Sequence, residues 1–283
     1  MRPQSPTIAA PPFHPDLAWV GGQPPDMERL TAVGPVLVHF FDFAQLNSVR
    51  ALPYVVAWHE RYRAAGLTTI GVHSPRYPFT ASRQAVAAGA GRLGVAYPVA
   101  VDDDFRVWRD YGCDRWPSLF LWGKGGTLQW VHFGEGEYAA TERAIHELLG
   151  AARPDVELPE PLDPLRATDA PGALVVPPTD EVFPGGSMTE PWRATPERPE
   201  LELAYEAGGA YATLDGEGEL NAVLDGGEPA RILVEEPGLY ELAAHDRHER
   251  HRLELRPSGG LRLWSISFAP GVPRNPPAKP PPS

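Results

Sequence analysis

The chain has 283 residues, 42% of them hydrophobic, and a formal net charge of −12. At roughly 100 to 200 residues per domain, that length predicts two domains, each with a real core. The charge is uneven, with 13 basic and 14 acidic residues up to Gly150 and 12 and 23 beyond it, and an acidic surface argues against nucleic acid or a membrane surface as partner.

The N-terminal stretch Met1 to Pro12 has one arginine, no apolar h-region and the helix-breaking Pro11-Pro12, so no signal peptide is expected. The longest apolar runs are strand-sized, far below the ~20 residues that span a bilayer. The single cysteine, Cys113, excludes an intrachain disulfide framework and a cysteine-rich zinc site and is compatible with a reducing compartment. The expectation is a soluble cytoplasmic protein.

Gly34-Pro35 opens the run Val36 to Phe41, whose β-branched and aromatic content predicts a strand buried on both faces. Leu52, Val55, Val56, Trp58, His59 and Tyr62 then recur at helical spacing up to Gly66, and Leu67 to His73 reads as a second buried strand. A helix over Thr80 to Leu93, an extended stretch from Val95 to Val101, the acidic turn Asp102-Asp103-Asp104 and a short helix over Phe105 to Tyr111 follow. Trp116 to Trp122 and Thr127 to Phe133, joined by Lys124-Gly125-Gly126, predict a β-hairpin, and Glu137 to Leu149 a last helix.

Residues 153–199 are rich in proline and glycine and read as a linker that lies against the domains or partly folds with them. Beyond it come seven short alternating segments, Leu201 to Tyr205, Ala210 to Leu214, Leu220 to Leu224, Ala230 to Val234, Gly238 to Ala243, Arg252 to Leu255 and Leu261 to Phe268. Their regular spacing predicts an antiparallel β-sandwich over 200–272. The tail, 273–283, is proline-rich and expected to be disordered.

Taken together, Pro35-Val36-Leu37-Val38-His39-Phe40-Phe41, Arg50-Ala51-Leu52-Pro53-Tyr54, Gly71-Val72-His73-Ser74-Pro75, Tyr97-Pro98-Val99-Ala100-Val101-Asp102, Trp116-Pro117 and His132-Phe133-Gly134-Glu135-Gly136-Glu137-Tyr138 stand in a telling order and spacing. On these, the segment from about Trp19 to Leu149 resembles the thioredoxin-like domain of the TlpA-type thiol-disulfide oxidoreductases, and more narrowly the DipZ-type C-terminal module. The resemblance implies an α/β thioredoxin fold over 19–152, preceded by an extension over 1–18 and followed by a carbohydrate-binding-module-like sandwich. It also places a Cys-x-x-Cys pair just before the Arg50 to Tyr54 segment, on Gln45 and Ser48, and the family's cis-proline on Pro117.

Both redox positions are therefore substituted. Neither a carboxamide nor a hydroxyl forms a mixed disulfide, so no thiol-disulfide exchange is expected there. Two readings stay open. One is a retained groove of Phe43, Gln45, Ser48, Trp116 and Pro117 that binds an extended peptide, protein segment or small molecule without chemistry. The other is a decayed site in which Ser48 and Asn47 cap the helix.

Cys113 lies four residues before Pro117, within about 13 Å at ~3.3 Å per extended residue. It is the candidate thiol for a one-cysteine oxidoreductase or peroxidase, with Arg115 as its activating cation; the burial habit of free cysteine favours a structural thiol. His245, His248 and His251 have a spacing that points to a metal, but the interleaved Arg247, Arg250 and Arg252 favour a solvated loop, and no metal is expected. His73 and His132 read as satisfied strand or core histidines. Trp192, Tyr205, Tyr211, Tyr240 and Trp264 are the candidates for a sugar-stacking platform, although aromatics at alternate strand positions are more often core. Gly89-Ala90-Gly91 follows a helix, so it is not a dinucleotide fingerprint, and no cofactor is expected.

Overall fold

The computed structural model describes residues 1–3 and 8–274, so the tail expected over 273–283 lies outside the described residues from 275 on. The chain divides into two compact units, Met1–Pro164 and Leu165–Ser283. No helix among the described residues is long and apolar enough to cross a membrane.

The first unit runs β1 (Ala18–Val20), α1 (Met27–Val33), β2 (Val36–Phe41), α2 (Leu46–Tyr62), β3 (Thr68–His73), α3 (Arg83–Arg92), β4 (Val99–Val101), α4 (Arg106–Asp110), β5 (Ser118–Trp122), β6 (Leu128–Phe133) and α5 (Tyr138–Ala152). Its sheet has the order β1-β4-β3-β2-β5-β6. β2, β3 and β4 are parallel, while β5, β6 and β1 run antiparallel to their neighbours. Every residue of β2 is buried, which is why its sequence is apolar at every position but His39 and does not alternate. Burying its valines, leucine and phenylalanines at about 1.5–3 kcal/mol each makes β2 the anchor of the unit. Val36, Val38 and Phe40 enter one core with Ile70, Val72, Phe120 and Trp122. Leu37, His39 and Phe41 alternate to the opposite face.

Three local departures from the sequence reading have physical causes. The predicted helix over Thr80 to Leu93 splits into a 3-10 turn, Pro78–Thr80, and α3, because Ser82 adopts an extended conformation and caps α3 by accepting the Ala85 N–H at 3.1 Å. Only Val99–Val101 of the predicted extended stretch is strand, since Pro98 offers no N–H to a ladder. β1 and α1, too short to show periodicity, were not predicted. The N-terminal extension runs along the outer edge of β6: Met1 N donates to Val131 O at 2.6 Å and Leu128 N to Ile8 O at 2.9 Å.

The second unit is all-β, a five-stranded antiparallel sheet of β7 (Leu201–Asp215), β8 (Gly218–Leu224), β9 (Ala230–Val234), β10 (Gly238–Pro257) and β11 (Arg262–Ala269) in the order β11-β7-β10-β8-β9. Five strands replace the seven predicted segments because two pairs of segments are halves of one long strand. Gly208 and Gly209, which read as a break, lie inside β7, where a Cβ on Gly208 would fall 2.5 Å from Pro270 O. Glycine here answers close backbone approach. β8 meets β10 at the C-terminal end of β10 alone and β11 meets the C-terminal half of β7, yet Leu220, Val234, Ile266 and Phe268 share one core. The sheet therefore curls around that core. In the proline-rich 153–199 segment, Val182 and Trp192 bridge to Ile266 and Leu263 of β11.

Candidate functional site

The turn after β2 is built by its polar residues. Gln45 is extended (φ −95°, ψ 127°) and is the N-cap of α2, its Oε1 accepting the Ser48 backbone N–H at 2.7 Å. The Ser48 hydroxyl in turn accepts the Asp42 N–H at 3.2 Å. Both side chains are closed off from solvent, Gln45 at 7% exposure and Ser48 at 0%. The cap falls on Gln45 and not on Asn47 or Ser48, because the helix begins at Leu46 and only a side chain at position 45 reaches its third N–H.

Beneath this turn lies a buried polar cluster that motif reading passed over. Asp42 is fully buried and accepts from Ala44 N at 2.7 Å, Arg76 N at 2.7 Å and the Thr80 hydroxyl at 2.6 Å. His73 Nε2 accepts the Phe43 N–H at 3.4 Å, which requires a neutral ring, and burial lowers its pKa. Its Nδ1 is buried without a partner among the described residues. The one sequence signal was an aspartate placed directly after a strand that is apolar but for His39. Phe43 itself is 1% exposed and stacks on His73 with ring centroids 5.2 Å apart. A Cβ added to Gly89 would lie 2.4 Å from its ring. Phe43 is thus a core residue, and the groove wall expected of it is not formed.

The Trp116-Pro117 bond is cis, the isomer that the resemblance implied. Pro117 is buried and Trp116 half-buried. The Trp116 indole donates to Ser74 O at 2.9 Å and lies 4.5 Å from Trp108. Neither the backbone N–H nor the C=O of Trp116 has a hydrogen-bond partner among the described residues. Asp102 organises this side: fully buried, it accepts from Val107 N at 2.9 Å, Trp108 N at 2.9 Å and the Ser74 hydroxyl at 2.8 Å. Burial raises its pKa, opposed by those three donors.

Cys113 packs, partly buried, against the core of the first unit. Burial pushes its thiol pKa up, and the charges of Asp102 and Asp114 push it further the same way. Arg115, the expected activator, spends its guanidinium on Asp114 at 2.9 Å. Burial and two acidic neighbours thus oppose formation of the Cys113 thiolate.

Two further groups brace the site. Arg50 of α2 pairs with Glu135 at 2.6 Å, side chains 8% and 14% exposed, tying the helix to the turn after β6. His39, in the middle of β2, is fully buried with both ring nitrogens unpartnered among the described residues, and burial lowers its pKa to about 3. His132 is on β6, with its pKa lowered by burial.

In the second unit the histidines do not form the expected solvated loop. They lie within β10, where the register slips between Ala244 and Glu249 and lodges extra residues in a bulge. The rings of His245 and His251 stack at 3.9 Å, His251 Nδ1 meets Asp225 at 2.7 Å and the Tyr205 hydroxyl meets His245 at 2.8 Å. Among the described residues no group of three or more histidine, cysteine or acidic side chains is placed to hold a metal ion. Trp192, Tyr205 and Trp264 are buried core residues at 5%, 2% and 5% exposure, so they form no sugar-stacking face. Tyr211 and Tyr240 are half-buried, with their hydroxyls directed to Glu241 and the Glu236 carbonyl.

A parallel strand–helix–strand core, an antiparallel hairpin, a cis-proline directly before β5 and one cysteine outside the turn define a class. The chain resembles the thioredoxin-like thiol-disulfide oxidoreductases, with glutamine and serine where the resemblance places the two redox cysteines. Among them, the chain is similar to Protein DipZ of Mycobacterium tuberculosis, 31% identical over 283 residues that take in 88% of this chain and 40% of that protein. The chain thus spans about two fifths of the length of this relative. NHL repeat-containing protein 2 of Homo sapiens is 27% identical over 131 residues, 46% of this chain and 18% of that protein. A thiol-disulfide isomerase structure from Corynebacterium glutamicum aligns with a TM-score of 0.45 at 21% identity, over 50% of this chain and 96% of that one. No protein-family model matches the chain.

Proposed function

We propose that this chain is a non-catalytic thioredoxin-like protein whose first unit binds an extended peptide or protein segment alongside Trp116-Pro117. The observation that carries the reading is the bond from the Ser48 N–H to Gln45 Oε1 at 2.7 Å. Both former redox positions serve the helix cap, so the site keeps its architecture with no electron-transfer chemistry. The unpaired backbone N–H and C=O of Trp116 are what supports docking, because an extended segment laid beside them completes two main-chain hydrogen bonds. Of the five residues expected to line the groove, Phe43, Gln45, Ser48 and Pro117 are buried and Trp116 is half-buried, so the proposed docking rests on the backbone of Trp116.

The test is dithiothreitol-coupled insulin reduction by the full chain. No rate above background is expected, with or without Cys113→Ser. Turnover that survives that substitution refutes the reading.

A further inference from the structure

We infer that Phe105, Trp108 and Trp116 form a subsite for a cationic side chain, so that the segment docked along Trp116-Pro117 is a basic peptide. The inference rests on the docking reading above and adds the chemistry of the partner. All three rings are half-buried and mutually packed, with Phe105 to Trp108 at 6.0 Å, Phe105 to Trp116 at 6.3 Å and Trp108 to Trp116 at 4.5 Å. Aromatic faces carry negative potential and attract guanidinium and ammonium groups, arginine above all because its plane also stacks.

The trio is held rigidly from below. The buried Asp102 carboxylate binds the Trp108 N–H and the Ser74 hydroxyl, and the Ser74 carbonyl takes the Trp116 indole N–H. Asp102 thus holds the backbone of Trp108 and, through Ser74, the ring of Trp116. Phe105 completes the set from a left-handed backbone conformation, φ 61°, that bulky residues rarely adopt outside functional sites. Rigid aromatic anchors lose little entropy on binding, which is what a recognition surface requires.

The segment around the rings carries both signs, with Arg109 donating to the Asp104 carbonyl, and one of its carboxylates is left over. Asp104 is paired with Arg106 at 2.7 Å and Asp114 with Arg115 at 2.9 Å, whereas Asp103 is exposed and has no partner among the described residues. Asp103 lies two residues before Phe105 in the same turn, closed by the Phe105 N–H to Asp102 O at 3.2 Å. In an extended segment, side chains alternate between two faces, so pairing at Trp116 turns every second one to the same side. A cation on that side gains both the ring faces and the unneutralised carboxylate.

The experiment uses the full chain and three capped pentapeptides, identical except for a central Arg, Leu or Glu in a valine-rich extended sequence. Binding is measured by titration calorimetry and tryptophan fluorescence. The Arg peptide is expected to bind about tenfold tighter than the Leu peptide, in line with a partly desolvated cation–π contact, and the Glu peptide most weakly. Asp103→Lys, a surface change that removes no contact, is expected to bring Arg down to the level of Leu without altering Leu binding. Trp108→Leu is expected to do the same through the rings. If Arg and Leu bind alike to the parent chain, or if Asp103→Lys leaves the preference intact, the cationic subsite is wrong while the docking groove stands. If no peptide binds, the docking reading falls and this one with it.

Discussion

Gln45 Oε1 accepts the Ser48 backbone N–H at 2.7 Å, so the two residues at the redox positions are hydrogen-bonded partners in a helix cap. In a dithiol pair the two side chains react with each other. Here one side chain satisfies the other's backbone at the positive end of α2.

The first prediction concerns that cap. Gln45→Ala leaves the Ser48 N–H unsatisfied in a buried turn, and we expect a loss of about 1 kcal/mol in unfolding free energy. Urea denaturation followed by far-ultraviolet circular dichroism measures it; an unchanged midpoint removes the cap from the account of this turn.

Restoring both thiols, Gln45→Cys with Ser48→Cys, tests whether the surrounding frame is still competent. The helix N-terminus is in place to lower the pKa of the first thiol. We expect the double variant to gain insulin-reducing activity over the parent, and a chain that folds yet stays inactive points to a frame that has drifted from redox geometry.

The Arg50–Glu135 pair is buried on both sides. Removing one partner strands the other charge, so Arg50→Ala is expected to cost about 3 kcal/mol or more, whereas replacing both by apolar residues of similar size costs less. Comparing the two variants in one denaturation series separates a stranded charge from lost packing.

Acidification acts through His39 and His73. Burial depresses both, His39 to about 3, so the unfolded chain takes up a proton below about 6.5 that the folded chain refuses. Their stability contribution is present above about pH 6.5 and falls away on acidification, for His39 until pH nears 3. For His39 alone the loss from pH 6.5 to pH 5 is about 2 kcal/mol. Amide exchange of β2 and β3 at the two pH values reads it, and His39→Leu is expected to flatten the slope.

Cys113 is expected to alkylate slowly. With burial raising its pKa, its thiolate is scarce at neutral pH. The rate of iodoacetamide labelling against pH is expected to show no inflection below about 9, the upper range of ordinary thiols. An inflection near 7 revives the one-cysteine enzyme.

The sequence by itself determined what short-range pattern encodes. The apolar runs of β2 and β3, the helical spacing of α2, the hairpin of β5 and β6, and the absence of thiols from the turn are all local, and so they were legible. Tertiary structure decided what depends on neighbours distant in the chain. Capping preferences favoured Asn47 or Ser48, and only the placement of the turn against Asp42 gave the cap to Gln45. Phe43 reads as groove or core with equal ease until Gly89 and His73 close over it. Asp42 and Asp102 became organising centres because their donors, from Arg76 and Thr80 in one case and Ser74 and Trp108 in the other, converge only in the folded chain. Glycines and a histidine-rich stretch broke the pattern of β7 and β10, yet the long-range ladder carried both strands through, since backbone pairing tolerates a bulge where sequence periodicity does not.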